Sequence, residues 1–338
     1  MMTKTKDVTA LGELLIDFTD SGISPQGNRL LEVNPGGAPC NVLAMLNKLG
    51  HSTCFIGKIG KDMFGDLLEG VLKDAGIGIE GLLRDDNVNT TLAFVHTREG
   101  GDREFALYRI PGADMMLSEE NIEPALISAA KIFHFGTLSM THEGCRKATK
   151  KAVGIAKDAE CLISFDPNLR EPLWDSLETA REQVDFGLRN CHILKISDNE
   201  IQWFTGEMDF EHALDKLQFE YGIPLILLSL GKDGSIAVCG KNRVFVPAIL
   251  NPGTVETTGA GDTFGACVLH YVLEHFEGDA FSGMPGPDGL FQFTPEQMKE
   301  MLLFANAAAS IITTRKGALK VMPSEEEVRA FLAVVDIL

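Results

Sequence analysis

The run Glu256-Thr257-Thr258-Gly259-Ala260-Gly261-Asp262-Thr263-Phe264 has the residue types of an anion hole with a base at its edge. Beyond it, positions 264, 267, 268, 271 and 272 are apolar, the spacing of one face of a helix. Gly259, Ala260 and Gly261 would then sit at a helix start, where free N–H groups and the helix dipole attract negative charge. Asp262 beside them could take the proton of a hydroxyl while the N–H groups hold the charge of a phosphoryl group under attack. An acid at a helix start is also a plain cap. Capping alone has no need of Gly-Ala-Gly.

A second double glycine, in Asn34-Pro35-Gly36-Gly37-Ala38-Pro39-Cys40-Asn41, again precedes a helical pattern and puts Asn41 in its first turn. Glycines there let a ligand approach the main chain, and an asparagine offers both a donor and an acceptor. Taken alone it reads as a turn into a helix. Lys195 lies in an apolar strand-like run, where a buried charge needs a partner. Arg170 follows a strand, at the rim where α/β sheets bind ligands. His134, inside Ile132-Phe133-His134-Phe135, reads as a satisfied core histidine. Gly76-Ile77-Gly78-Ile79-Glu80-Gly81 spells the dinucleotide fingerprint, but a helix precedes it and a strand follows, the reverse of what that motif needs. It reads as a helix-to-strand turn.

The elements that must position these residues alternate. Strand-like runs at 8–11, 52–56, 131–135, 161–165, 192–196 and 225–230 are separated by amphipathic helical stretches. One helix is expected over 40–49 before Gly50, another over 64–75 before Gly76. Short continuous apolar strands between such helices predict a mostly parallel sheet sandwiched by helices. Two stretches break the rhythm, 14–33 and 90–109. The second reads as a hairpin with a polar turn at 98–103, and the two together as a small β-sheet lid. The Gly/Pro-rich stretch Gly278–Phe293 reads as a surface loop between helices. The whole, residues 1–338, is expected to be one domain, with the lid formed by about 13–35 and 88–113.

Composition narrows the partners. With 30 Lys plus Arg against 48 Asp plus Glu, the formal net charge of −18 disfavours nucleic acid or anionic membrane, which demand a basic face. Seven scattered cysteines without paired spacing read as reduced, buried thiols of a cytoplasmic protein. No run is long and apolar enough to span a membrane, and Met1–Asp7 has no signal-like core.

The two glycine motifs together resemble the ribokinase-like (PfkB-type) carbohydrate kinases. Gly36-Gly37 with Asn41 is similar to that family's first signature, and Thr257–Asp262 to its second. Leu11–Phe18, Gly57–Gly65, Asp166-Pro167-Asn168-Leu169-Arg170 and Ser229-Leu230-Gly231-Lys232-Asp233-Gly234 match in order, so the resemblance runs from residue 8 to about 323. Within the family the style is that of the fructokinases.

The resemblance implies a ribokinase-like fold and transfer of the ATP γ-phosphoryl group to O6 of D-fructose. The alternatives are 2-keto-3-deoxygluconate, ribose or a nucleoside as acceptor, and a silent sugar-binding protein, against which the intact Gly-Ala-Gly-Asp argues. It implies Asp262 as base and Gly259, Ala260 and Gly261 as anion hole. Asp17, Gly36, Gly37, Asn41 and Asp166 would serve the sugar, and Arg109 and Arg170 would face the sugar or the transferred phosphate. Lys195, Ser229, Gly231, Gly234 and Asn306 match nucleotide-contacting positions, and Glu200 the acid that organises magnesium through its waters. Ser197 stands where that Asn-x-x-Glu motif has Asn, and Glu256 where the second signature has Asp. In cation-activated members that acid, a carbonyl near Thr258 and carbonyls around Arg315 and Gly317 surround potassium, which the longer Glu256 leaves open. Pairing of the lid with that of a second copy is the implied route to a homodimer.

Overall fold

The computed structural model describes residues 4–97, 103–275 and 291–335. Its strands are β1 (Lys6–Leu11), β2 (Leu15–Ile23), β3 (Arg29–Gly36), β4 (Thr53–Gly60), β5 (Gly78–Asp85), β6 (Leu92–Thr97), β7 (Arg103–Tyr108), β8 (Ala130–Gly136), β9 (Leu162–Asp166), β10 (Ile193–Ser197), β11 (Leu225–Ser229), β12 (Ser235–Cys239) and β13 (Asn242–Val246). Its helices are α1 (Ala38–Lys48), α2 (Met63–Asp74), α3 (Pro124–Ser128), α4 (Glu143–Asp158), α5 (Leu177–Leu188), α6 (Asp198–Thr205), α7 (Phe210–Tyr221), α8 (Ala260–His275), α9 (Pro295–Ile312) and α10 (Glu325–Val334). The expected strands and helices form where periodicity places them. The Gly76–Gly81 segment is the turn from α2 into β5. The polar turn at 98–103, apart from Arg103, and the loop at 278–290 lie outside the described residues.

Nine strands form one sheet in the order β13-β12-β11-β10-β9-β8-β1-β4-β5, and four form a second in the order β3-β2-β6-β7. From β11 through β5 the large sheet is parallel throughout, so its strands all end at one edge. The hairpin β12–β13 is antiparallel and went unread in the sequence, although Gly240-Lys241 between two five-residue apolar-rich runs is a hairpin signal.

Alternate residues of each strand enter two separate cores, as a pleated strand requires. Ile193, Leu225 and Leu227 pack with α1, α8 and α9. Leu194, Ile226 and Leu228 pack with α4 to α7. Lys195 and Asp166 therefore point to the α8 face. All seven cysteines are unpaired and buried. No helix among the described residues is long and apolar enough to cross a membrane.

The small sheet is tied to the body through Phe18 of β2. That ring stacks on Phe94 of β6 at 4.8 Å and meets Phe64 of α2 edge-on at 5.7 Å. Its outer side leaves Leu31, Val33, Tyr108 and Ile110 exposed.

Packing of α5 on the sheet gives a test. A Cβ at Gly187 would lie 2.2 Å from the ring of the fully buried Phe165. Alanine would gain roughly 1 kcal/mol in helix propensity, but overpacking a fixed core ring costs roughly 1–3 kcal/mol. Gly187→Ala should therefore lower the thermal midpoint. An unchanged or raised midpoint would show that the ring yields.

Candidate active site

Parallel strands ending together leave a crevice at their carboxyl edge, and the cleft lies there. It has a volume of about 450 Å³. One wall is the small sheet, through Asp17, Asn34, Ala93 and Leu107. The floor is the start of α1 and α8, and the far rim is the loop after β9.

Each helix start is shaped by a glycine. Gly37, the residue before α1, has φ +131°, and a Cβ there would lie 2.4 Å from the Glu13 carbonyl oxygen. Gly259 has φ +76°, with Ala318 2.6 Å from where its Cβ would be. Both are backbone conformations that side chains resist. The first-turn N–H groups of a helix have no partner within it; that of Ala260 donates to the Thr257 carbonyl at 3.3 Å, while Gly259, Gly261 and Asp262 line the cleft.

Asp262 is held from across the molecule. The Asn41 side-chain N–H donates to its Oδ2 at 2.7 Å. Burial raises the Asp262 pKa, opposed by that bond and by the charges of Lys195 and Arg170. Its Oδ1 accepts no hydrogen bond from the described residues. Asn41 Oδ1 is buried without a hydrogen-bond partner. Asp17 also opens into the cleft, its pKa raised to about 6 by burial, with Arg170 opposing and Glu256 and Asp262 adding to the rise. No hydrogen bond contributes to the Asp17 shift. The cleft thus presents the Asp17 carboxylate and the half-spent Asp262, with Arg170 at the rim and the unpartnered Asn41 Oδ1 buried behind them.

Behind them Lys195 pairs with Asp166 at 3.0 Å. The pair shields each charge from the cost of burial. Asp166, pushed up to about 6 by desolvation against the pull of Lys195, remains ionised at neutral pH, and Lys195 stays protonated. The ammonium lies 3.1 Å from where a Cβ of residue 261 would sit. It therefore adds positive charge to the α8 start. Asp166 itself does not line the cleft. His134 is a core histidine as expected, bonded to Ser164 at 3.0 Å and pushed down to about 4 by burial.

Glu200 closes the arrangement from below. Its Oε2 accepts from Ser197 N and Oγ, a capping box at the start of α6, and its Oε1 accepts from Leu169 N at 2.7 Å. This bond fixes the loop that carries Arg170. In that loop Asn168 takes φ +43°, a left-handed conformation that Asn tolerates, and its N–H donates to Asp166 Oδ1 at 3.2 Å.

Glu256, Thr258 and Gly317 meet on the cleft wall, where Glu256 Oε1 accepts from Gly317 N at 2.7 Å. The Arg315 side chain turns away, to Val321 and Glu327. Ser229, Gly231 and Gly234 lie at the end of β11 and the turn beyond, on the same sheet edge but outside this cleft.

One expectation, that for Arg109, is corrected. Arg109 does not face the cleft. It is 4% exposed and its guanidinium is spent on Asp114, on Thr141 Oγ1 and on the Leu138 carbonyl. A buried arginine needs a carboxylate, and the turn after β7 returns Asp114 to it. Asn306 is likewise spent. It accepts from Ser235 Oγ and donates to the Val246 and Pro247 carbonyls, clamping the β12–β13 hairpin to α9.

One contributor went unread. Glu13 is buried on the cleft wall, and its Oε1 accepts from Ala38 N at 2.7 Å, capping α1 where Gly37 has no side chain to do so. Its position in the Gly12-Glu13 run beside the glycines was the available signal.

Residues 5–325 match the family described as "pfkB family carbohydrate kinase". The chain is 37% identical over 329 residues to probable fructokinase-2 of Arabidopsis thaliana, covering 97% of this chain and 96% of that one. It is 37% identical over 327 residues to fructokinase-2 of Solanum lycopersicum, covering 96% and 95%. Among solved structures it is similar to a fructokinase from Xylella fastidiosa with bound ATP, with TM-score 0.86 and 29% identity, covering 97% and 98%. It is also similar to a fructokinase from Vibrio cholerae O395 with fructose, ADP and calcium bound, with TM-score 0.83 and 26% identity, covering 97% and 99%.

The Glu13 pKa is raised to about 7 from 4.5, chiefly by burial. A raised carboxyl contributes stability that is full below its unfolded pKa and lost as pH rises through the folded one. The thermal midpoint of the natural chain, relative to Glu13→Gln, should therefore fall as pH goes from about 4.5 to about 7. A difference that stays flat across that window would contradict the assignment.

Proposed function

Since the chain belongs to the pfkB family of carbohydrate kinases, we propose that it is an ATP-dependent fructokinase transferring the γ-phosphoryl group to O6 of D-fructose. The observation that carries this reading is the open Asp262 oxygen at the α8 start, beside the Asp17 carboxylate that no hydrogen bond engages. Acceptors without donors suit a ligand rich in hydroxyls.

The sugar would lie between the small sheet and α1, its hydroxyls donating to Asp17 and Asn41, close to the main chain at Gly36 and Gly37. The O6 hydroxyl would donate to Asp262. As O6 attacks the γ-phosphorus, Asp262 takes the proton and the bond to the β-phosphate oxygen breaks, releasing ADP. The N–H groups of Gly259 and Gly261, with Lys195 and Arg170, hold the charge that spreads over the phosphoryl oxygens. The raised Asp262 pKa makes it a better base than an exposed aspartate.

ATP would run from there toward Ser229, Gly231 and Gly234. Magnesium, when bound, would supply positive charge against the phosphates. With Asp166 paired and Glu200 hydrogen-bonded, the chain suits an ion held through phosphates and water, with those two acids behind it. Glu256, Thr258 and Gly317 are oxygen donors that suit a monovalent cation, with Arg315 contributing main chain only. The small sheet acts as a lid that excludes water, the competing acceptor. Its exposed Leu31, Val33, Tyr108 and Ile110 are where a second copy would pair, giving a homodimer that light scattering would detect.

The acceptor end weighs against an acid sugar. With Arg109 turned into the protein, the only cations among the described cleft-lining residues are Arg170 and Lys195, both already assigned to the phosphoryl group, which leaves none for the carboxylate of an acid sugar. ATP consumption across a sugar panel should therefore favour fructose over 2-keto-3-deoxygluconate, ribose and nucleosides. Preference for the acid sugar would overturn the substrate. Asp262→Asn should lower kcat on the order of 10³-fold while ATP binding persists. A kcat within a few-fold of the natural enzyme would remove Asp262 as base. Asp17→Asn should raise KM for fructose by roughly 10-fold, and an unchanged KM would place the sugar elsewhere.

A further inference from the structure

At the other ends of α1 and α8 lies a cluster that phosphoryl transfer does not use. His51 follows α1, while His270 and Glu274 stand one helical turn apart on α8. One ligand atom from each lies within 4.8 Å of the others. His51 Nε2 is 2.7 Å from His270 Nδ1. We propose that His51, His270 and Glu274 form a binding site for a transition-metal ion of the zinc class, which fastens α1 to α8.

Two imidazoles and one carboxylate are a donor set for zinc and its neighbours, whereas magnesium and calcium take oxygen donors. Three protein ligands leave the remaining position to water. The tautomers suit the purpose. His51 Nδ1 lies 3.9 Å from Asp7 Oδ2, and Asp7 is kept ionised by Lys131 and Ser52. A carboxylate on that side favours the proton on Nδ1 and leaves Nε2 with its lone pair toward His270. His270 Nδ1 then carries the shared proton, and metal entry at that nitrogen shifts the proton to His270 Nε2, so the ring binds as a neutral imidazole.

Nitrogens each about 2.0 Å from a tetrahedral zinc sit roughly 3.3 Å apart, so the rings need to part only slightly from 2.7 Å. Supports fix both rings. His51 is 8% exposed, and His270 packs against Phe304 of α9 with centroids 5.8 Å apart. Glu274 is exposed and gives the ion an approach. The charges felt here are Asp7, Glu274 and Glu325 on the acidic side against Lys131 and Arg329, a balance that favours a cation.

The consequence reaches the cleft. Asp262 and Asn41, which hydrogen-bond each other, sit at the starts of the same two helices. The ion would join the helices about 12 Å further along α8, at 1.5 Å per residue.

The test uses the full-length chain, stripped with a chelator and titrated with zinc chloride by calorimetry, with a parallel thermal melt. One equivalent should bind and raise the midpoint by about 5 °C at saturation. Millimolar magnesium alone should not reproduce the shift. Glu274→Gln, at an exposed position that should leave folding intact, should weaken zinc binding roughly 10-fold, and His270→Gln by 100-fold or more. Failure of the natural chain to bind one equivalent would overturn the proposal. So would equal affinity in Glu274→Gln and the natural chain, since the Glu274 carboxylate would then not be a ligand.

Discussion

A buried carboxylate at a helix N-terminus must be compensated or it neutralises, and that constraint on Asp262 organises the cleft. Asn41, 221 positions earlier in the chain, supplies a hydrogen bond. Lys195 and Arg170 supply charge, and the α8 dipole adds to both. Each compensator demands its own support. Asn41 is placed by α1, whose start Glu13 caps. Lys195 is placed by β10 and kept charged by Asp166 of β9. Arg170 is placed by a loop that Glu200 holds at Leu169. The site is therefore a chain of satisfied burials that ends in a few acceptors left open, and those acceptors are what a hydroxyl ligand requires.

The two departures from the family pattern fit this picture. Ser197 stands at the N-cap of α6, where Ser and Asn are both favoured, and it shares a capping box with Glu200. The change keeps the anchor that matters for the Arg170 loop. Glu256 uses its additional methylene to reach Gly317 N, joining the turn after α9 to the approach to α8.

Much of the architecture was legible. Apolar residues at helical or strand spacing have few ways to be buried, so α1, α2, α8 and the parallel strands formed where periodicity placed them. Gly259 to Asp262 were legible as a helix start, and the structure puts that start on the cleft. The net charge of −18 was a poor guide to this cleft, because a small phosphate ligand sees local N–H groups, Lys195 and Arg170 rather than the whole surface. The β12–β13 hairpin was missed although its Gly-Lys turn was in view. Arg109 was placed correctly in the chain but aimed wrongly, since nothing local says that Asp114 returns to it.

By itself the sequence determined the period of each element, the glycines at the two helix starts and the family motifs in their order. These rest on local sterics and on burial of one face, which neighbours in the chain decide. Only the tertiary structure decided which polar groups are spent. Asp166 and Asn306 turned inward to partners, Asp17 and Asn41 Oδ1 stayed open, and His51 met His270. A side chain's free hydrogen-bonding capacity depends on groups 29 to 221 residues away that only packing brings within about 3 Å.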